Sequence, residues 1–158
     1  MPEIKLSTST TYKDLIEFIQ GELNNIGIKA KVDVSPSASL RDLMSKNEVS
    51  FFRGSWIADY PDGENYLSVF YSKNKVPLGP NYTGYFNKEF DQLFDRAYYE
   101  NDNQKRFALY QKMDNMVLEH AAVVPILYDQ SVVMLQNNIS GYKVNPLCLM
   151  ILKDVKKD

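Results

Sequence analysis

The chain has 158 residues, 44% of them hydrophobic and 24% charged, with a formal net charge of −2. That is enough length for one domain with a real core, and the composition is that of a globular protein. The slight acidity speaks against a nucleic-acid partner, which usually needs a basic face, and no apolar run approaches the ~20 residues of a membrane span.

In chain order, "EIKLST" (residues 3–8) alternates Ile4 and Leu6 with polar residues and predicts a short strand. Ser9 to Thr11 offer caps for a helix with apolar positions at Tyr12, Leu15, Ile16, Ile19, Leu23 and Ile26, stopped by Gly27. "IKAKVDV" then alternates Ala30, Val32 and Val34 with charged residues, a half-buried strand. Residues 38–46 predict a short helix presenting Leu40, Leu43 and Met44, and "VSFFRGSW" predicts a third strand. Strand, helix, strand, helix, strand is the order of an α/β sheet with parallel neighbours.

Past Pro61, Asp62 is placed to cap a short helix carrying Tyr66, Leu67 and Phe70. Residues 72–86 hold Pro77, Gly79, Pro80 and Gly84 and predict a loop. Asn87 caps a helix with Phe90, Leu93, Phe94, Ala97 and Tyr98 on one face. A second helix, from about Asn103 to Glu119, is expected to bury Phe107, Tyr110, Met113 and Val117. "VVPILY" and "SVVML" predict strands joined at Asp129-Gln130, a pair that does not favour a tight hairpin.

Several kinds of chemistry are removed by scarcity. His120 and Cys148 are the sole histidine and cysteine, too few for a zinc site or an internal disulfide. His120 follows the spacing of Met113, Met116 and Val117 and is expected at a helix end. No serine sits in a nucleophile-elbow pattern, and there is no phosphate-cradling glycine loop. No cofactor is expected, and conventional hydrolase and nucleotide chemistry is not expected. The first residues do not form a signal peptide, so the chain is expected either to be cytosolic or to be cut from something longer.

Four stretches, taken in order, resemble the C-terminal lobe of the family 5 extracellular solute-binding proteins, the peptide-binding receptors of ABC importers. "LNNIGIKAKV" is similar to the family's helix-to-strand passage, and "GSWIADYPDGENYL" to its tryptophan, acidic and proline signature. "NYTGYFNKEFDQLFDRA" resembles its Tyr-x-Asn-x-x-Phe-Asp segment, and "RFALYQKMDNMVLEHAAVVPILY" its Arg-x-x-x-Tyr helix. Gly63 departs from the pattern, since many members carry a second proline there.

The resemblance implies one lobe of a two-lobe periplasmic-binding-protein (type II) fold, α/β in class, with a mixed sheet flanked by helices. Residues 3–129 would form the ligand-binding lobe, and residues 130–158 would return across the hinge to the first lobe. The implied partners are a peptide, the permease subunits of an ABC transporter and that first lobe. The location would be outside the cytoplasmic membrane, periplasmic or lipid-anchored. A chain without its first lobe is expected to self-associate through its tail.

Three residues carry the implied site. Asp59, the aspartate of the Trp-x-x-Asp signature, would receive the peptide's N-terminal ammonium through charge-assisted hydrogen bonds. Its competing role is a cap or a loop-closing residue before Pro61. Trp56 would line a side-chain pocket as an aromatic plate, or else sit in the core at a strand end. Arg53 matches a position where some members carry an arginine that reaches the peptide carboxylate. Strict alternation sets Arg53 and Trp56 on opposite faces, so both meet one ligand only if Gly54 bulges or the strand ends early. Asp62 and Glu64 are expected to serve the helix start rather than a ligand. The alternatives are another solute on the same fold (a nickel complex, a sugar or an opine), or a glycosidase using Asp59 and Glu64 as its two carboxylates.

Overall fold

A computed structural model describes residues 2–128, 130, 132–145, 147 and 149–158. Two strands, β1 (Ile4–Ser9) and β2 (Ala30–Ser35), run parallel in the register Ile4↔Ala30 to Ser9↔Ser35. The crossover between them is helix α1 (Lys13–Asn25), as a parallel pair requires. Leu6, Ile16 and Ala30 form the small core beneath this unit, with Ile4, Ile19, Leu23 and Val32 packed around it. Helix α2 (Ser37–Ser45) follows and lies against β1, with Leu40 buried.

The expected third strand, Val49–Trp56, is reduced to a single parallel bridge between Ser7 and Phe52. Ser7 N–H donates to the Phe51 carbonyl and Arg53 N–H to the Ser7 carbonyl, each at 2.9 Å, and the ladder ends there. Gly54 has no side chain to pack on a pleated surface, and the chain beyond it turns toward the helix that starts at Gly63 instead. The start of α1 also differs from expectation. A 3₁₀ turn at Thr10–Tyr12 leads into the helix, and no side chain caps either element. The end of α1 is as expected. Gly27 has φ +83°, Ile28 N–H donates to the Leu23 carbonyl at 2.9 Å and Gly27 N–H to Asn24 at 3.0 Å, which is a Schellman closure. Ile26 is the residue at that exit, outside the apolar stripe, and it is exposed.

The second core is helical. It is built from α3 (Gly63–Leu67), α4 (Lys88–Tyr99) and α5 (Asn103–Glu119), with a pair of 3₁₀ turns (Ser68–Phe70 and Ser72–Asn74) between α3 and α4. Leu67, Tyr71, Phe90, Phe94, Met113 and Val117 lie at its centre, and the Tyr71 and Phe94 rings stack at 4.5 Å. The caps are local, and the one at Asn87 is as expected. Asn87 accepts from the Glu89 and Phe90 N–H groups, and Asp102 accepts from those of Gln104 and Lys105. Asn81, fully buried, donates to the carbonyls of Tyr71 and Tyr85 and accepts from Thr83, so the breaker-rich loop is held by one amide.

Tyr66, Tyr98 and Phe107, all expected on buried faces, are exposed. The buried stripe of α5 starts one turn later, at Tyr110, and continues through Met113, Met116 and Val117. Residues 123–128 and 132–135 form no strand in the structure, contrary to expectation. A strand needs a neighbour for its backbone groups, and among the described residues none runs beside them. Asp129, in the expected turn, and Ser131, the first residue of the second expected strand, lie outside the described residues. A two-residue antiparallel pair, β3 (Ile139–Ser140) with β4 (Lys156–Lys157), closes the tail.

Candidate functional site

The segment from Arg53 to Asp62 leaves the sheet at Phe52 and enters the helical core at α3, so it runs from one core to the other. Its path is set by two polar residues at the helix start. Asp62, the N-cap of α3, accepts from the Glu64 N–H at 2.9 Å. The same carboxylate accepts from the Tyr110 hydroxyl at 2.8 Å and from Arg106 Nη2 at 2.5 Å. Arg106 and Tyr110 stand four apart on α5 and therefore share a face, so the Arg-x-x-x-Tyr motif grips the loop through Asp62. Burial pushes the Asp62 carboxyl up, but the Glu64 N–H, the Tyr110 hydroxyl and the Arg106 charge together outweigh it and hold it below the usual range. Burial, followed by the bond to Asp62, pushes the Tyr110 hydroxyl up to about 12.

Asn65 is the second organiser. It is 4% exposed, and its Oδ1 accepts from Trp56 Nε1 at 2.7 Å and from the Asp59 backbone N–H at 3.3 Å. Trp56 is thus half-buried with its indole N–H paired. Asp59 is exposed, and among the described residues its carboxylate makes no hydrogen bond or ion pair. Asp59 is therefore neither the cap nor the loop closure, since Asp62 fills both places. Glu64 lies in the first turn of α3 and accepts from the Tyr60 hydroxyl, in line with its expected service to the helix start.

Arg53 is held elsewhere. Its guanidinium lies over the Tyr12 ring with Cζ 3.3 Å from the centroid, and Nη1 reaches Ser55 Oγ at 3.2 Å. The early end of the strand frees Trp56 from the alternation that set it against Arg53. The structure brings Trp56 and Asp59 together through Asn65, while Arg53 belongs to a neighbouring group with Tyr12 and Ser55. Sequence reasoning missed the part played by Asn65. The signal available was an amide three residues after an N-cap candidate, and it carries no indication of which donors it will meet.

The surface at Trp56 and Asp59 is open. Two clefts lie elsewhere, one of about 410 Å³ beside Asp95, Arg96, Tyr99, Glu100 and Leu109, and one of about 400 Å³ beside Gly141 and Lys153–Lys156. Among the described residues, no three acidic, histidine or cysteine side chains converge as a metal site. No helix is long and apolar enough to cross a membrane, again among the described residues.

Residues 2–77 match the family described as bacterial extracellular solute-binding proteins, family 5 middle. The whole chain is 28% identical, over 162 aligned residues, to the dipeptide-binding protein DppE of Bacillus subtilis, of which it covers 29%. Among solved structures, it superposes with a TM-score of 0.83 and 26% identity on the ABC transporter-associated periplasmic binding protein DppA from Helicobacter pylori in complex with the peptide STSA, over 98% of this chain and 31% of that one. HbpA2 from Haemophilus parasuis shares the fold at a TM-score of 0.84 and 22% identity, over 99% of this chain and 32% of that one. The chain thus spans about three-tenths of the length of these proteins. The α/β architecture is that of a lobe of the periplasmic-binding-protein fold.

Proposed function

We propose that this chain, which belongs to the family 5 bacterial extracellular solute-binding proteins, supplies one wall of a peptide-binding site in the receptor of an ABC importer. In this reading Asp59 receives the N-terminal ammonium of the peptide, and Trp56 forms an aromatic wall beside it. The observation that carries the reading is the division of labour between two nearby carboxylates. Asp62 is spent on the helix cap, Arg106 and Tyr110, whereas the backbone of Asp59 is fixed by Asn65 and its carboxylate is exposed.

The chemistry suits a receptor for varied peptides. An ammonium is common to all of them, and a fixed carboxylate binds it whatever side chains follow. An indole adds contact area with little geometric demand. Arg53, cradled on Tyr12 with one of its five donors on Ser55, keeps others for a peptide carboxylate. Relatives and neighbours named for dipeptides or solved with a peptide support peptides over other solutes. An open surface such as this one leaves half of a ligand to water, so a facing lobe has to complete the enclosure. The receptor would work outside the cytoplasmic membrane and hand its ligand to permease subunits, binding without chemical turnover.

A thermodynamic cycle on the full-length receptor tests the ammonium role. Breaking one side of an enclosed charge pair costs about 2–5 kcal/mol, roughly 30-fold to several thousand-fold in affinity. Calorimetry should therefore show Asp59→Ala and N-acetylation of the peptide each weakening binding by that order. The two losses should not add, because each removes the same interaction. If wild type binds acetylated and free peptide equally, the ammonium role is falsified.

A further inference from the structure

We infer that Asn65 is the positioning residue of this site, holding the Trp56 indole and the Asp59 main chain as one rigid unit; the inference rests on the ammonium reading of Asp59. The amide oxygen has two lone pairs, and two donors use them: Trp56 Nε1 at 2.7 Å and Asp59 N–H at 3.3 Å. Between Gly54 and Tyr60 the chain makes no sheet ladder, so these two bonds replace the pairing that a strand would have provided. Ala58, buried, turns inward between the two tethered residues and leaves Asp59 facing out.

Asn65 can impose a position because it is itself fixed. It lies in the first turn of α3, its N–H donates to the Asp62 carbonyl at 3.2 Å, and its own carbonyl accepts from Ser68 Oγ at 2.8 Å. Two residues on, Leu67 is anchored in the helical core, and Asp62 is tied to Arg106 and Tyr110. A line of fixed groups thus runs from α5, through α3, to the two residues assigned to the ligand. Side chains that touch a ligand are exact only when the groups behind them are locked.

The residue type fits this task. Leucine has similar bulk but no acceptor, and would strand the indole N–H and one backbone N–H inside a 4%-exposed position. Aspartate would keep the acceptor but add a charge beside Asp59, changing the ammonium preference for a separate reason. The informative variants are therefore Asn65→Leu and Asn65→Ser, the second too short to reach both donors together.

The test uses the full-length receptor, a peptide that wild type recovers from a randomised library, and the N-acetylated form of that peptide. The quantity read is the ratio of the two dissociation constants. Asn65→Leu should shrink the wild-type preference for the free peptide by about tenfold or more, because the carboxylate is no longer held against the ammonium. The emission of Trp56, isolated as the difference between receptors with and without Trp56→Phe, should shift its maximum in the same variant, reporting the lost indole bond. If Asn65→Leu does not fold, Asn65→Ser is read by the same ratio and should show a smaller shrinkage. A variant that weakens free and acetylated peptide equally overturns the inference and leaves the role of Asp59 standing. A wild-type receptor without any preference, or one that recovers no peptide, overturns the parent reading and this inference together.

Discussion

Replacing Asp62 by alanine would remove three interactions at one point, and their sizes follow from the geometry. The helix cap on the Glu64 N–H is worth about 1 kcal/mol. The Arg106 bond is charge-assisted, but the two side chains are 28% and 24% exposed, so the low end of that range applies, about 1.5 kcal/mol. Tyr110, buried, would lose the acceptor for its hydroxyl, which costs about 1 kcal/mol more. Neighbouring terms share partners and do not simply add, so the expected loss is about 3 kcal/mol. Urea unfolding followed by circular dichroism measures it.

The pH dependence offers an independent check. The folded Asp62 carboxyl titrates below its unfolded value, so its contribution is complete above about pH 4 and is lost as the solution is acidified further. Asp62→Ala should therefore show a flatter stability profile below pH 4 than wild type. A cycle with Arg106→Met should give a coupling of at least about 0.5 kcal/mol, since the two side chains touch. A loss below about 0.5 kcal/mol in Asp62→Ala, with no coupling to Arg106, would refute the claim that α5 grips the loop through this carboxylate.

Two more outcomes follow from the fold. Asn81→Ala should destabilise by about 2–3 kcal/mol in the same urea experiment, because it strands the Tyr71 and Tyr85 carbonyls inside the protein; a loss below 1 kcal/mol would mean that the loop is held by something else. We also propose that residues 130–158 pack on a facing lobe in the whole receptor. Val132 and Met134 are 81% and 90% exposed, so the isolated chain should associate as its concentration rises. Light scattering that finds a monomer throughout, with slow amide exchange at residues 132–135, would count against that boundary.

What could be read from the sequence was what local physics decides. The period of α1, α4 and α5, the caps at Asp62 and Asn87, and the Gly27 stop each depend on residues within a turn of one another. Long-range choices were not legible. Phe107 and Tyr98 fit an apolar stripe as well as Tyr110 and Phe94 do, and which rings are covered depends on how α4 and α5 face each other. The third strand failed for a similar reason, since "VSFFRGSW" has strand composition but keeps a neighbour only at Phe52. The Arg-x-x-x-Tyr pattern was visible, but its partner lies 44 and 48 positions away.

The same distinction explains the site. Asp59 and Asp62 both stand within two residues of Pro61 in a turn-forming stretch, and short-range rules allow either one to cap or to close the loop. A capping aspartate needs the free N–H groups of a helix start, and α3 begins at Gly63, so Asp62 alone is in reach. That assignment is strengthened by Arg106 and Tyr110, which need an acceptor where they emerge from α5. Once Asp62 is committed, the chain before it is short enough for Asn65 to reach back to the main chain of Asp59 and the ring of Trp56. Among the described residues the carboxylate of Asp59 makes no hydrogen bond or ion pair, and its backbone is fixed all the same. A carboxylate held by its main chain and exposed at its oxygens suits the ammonium contact proposed for Asp59.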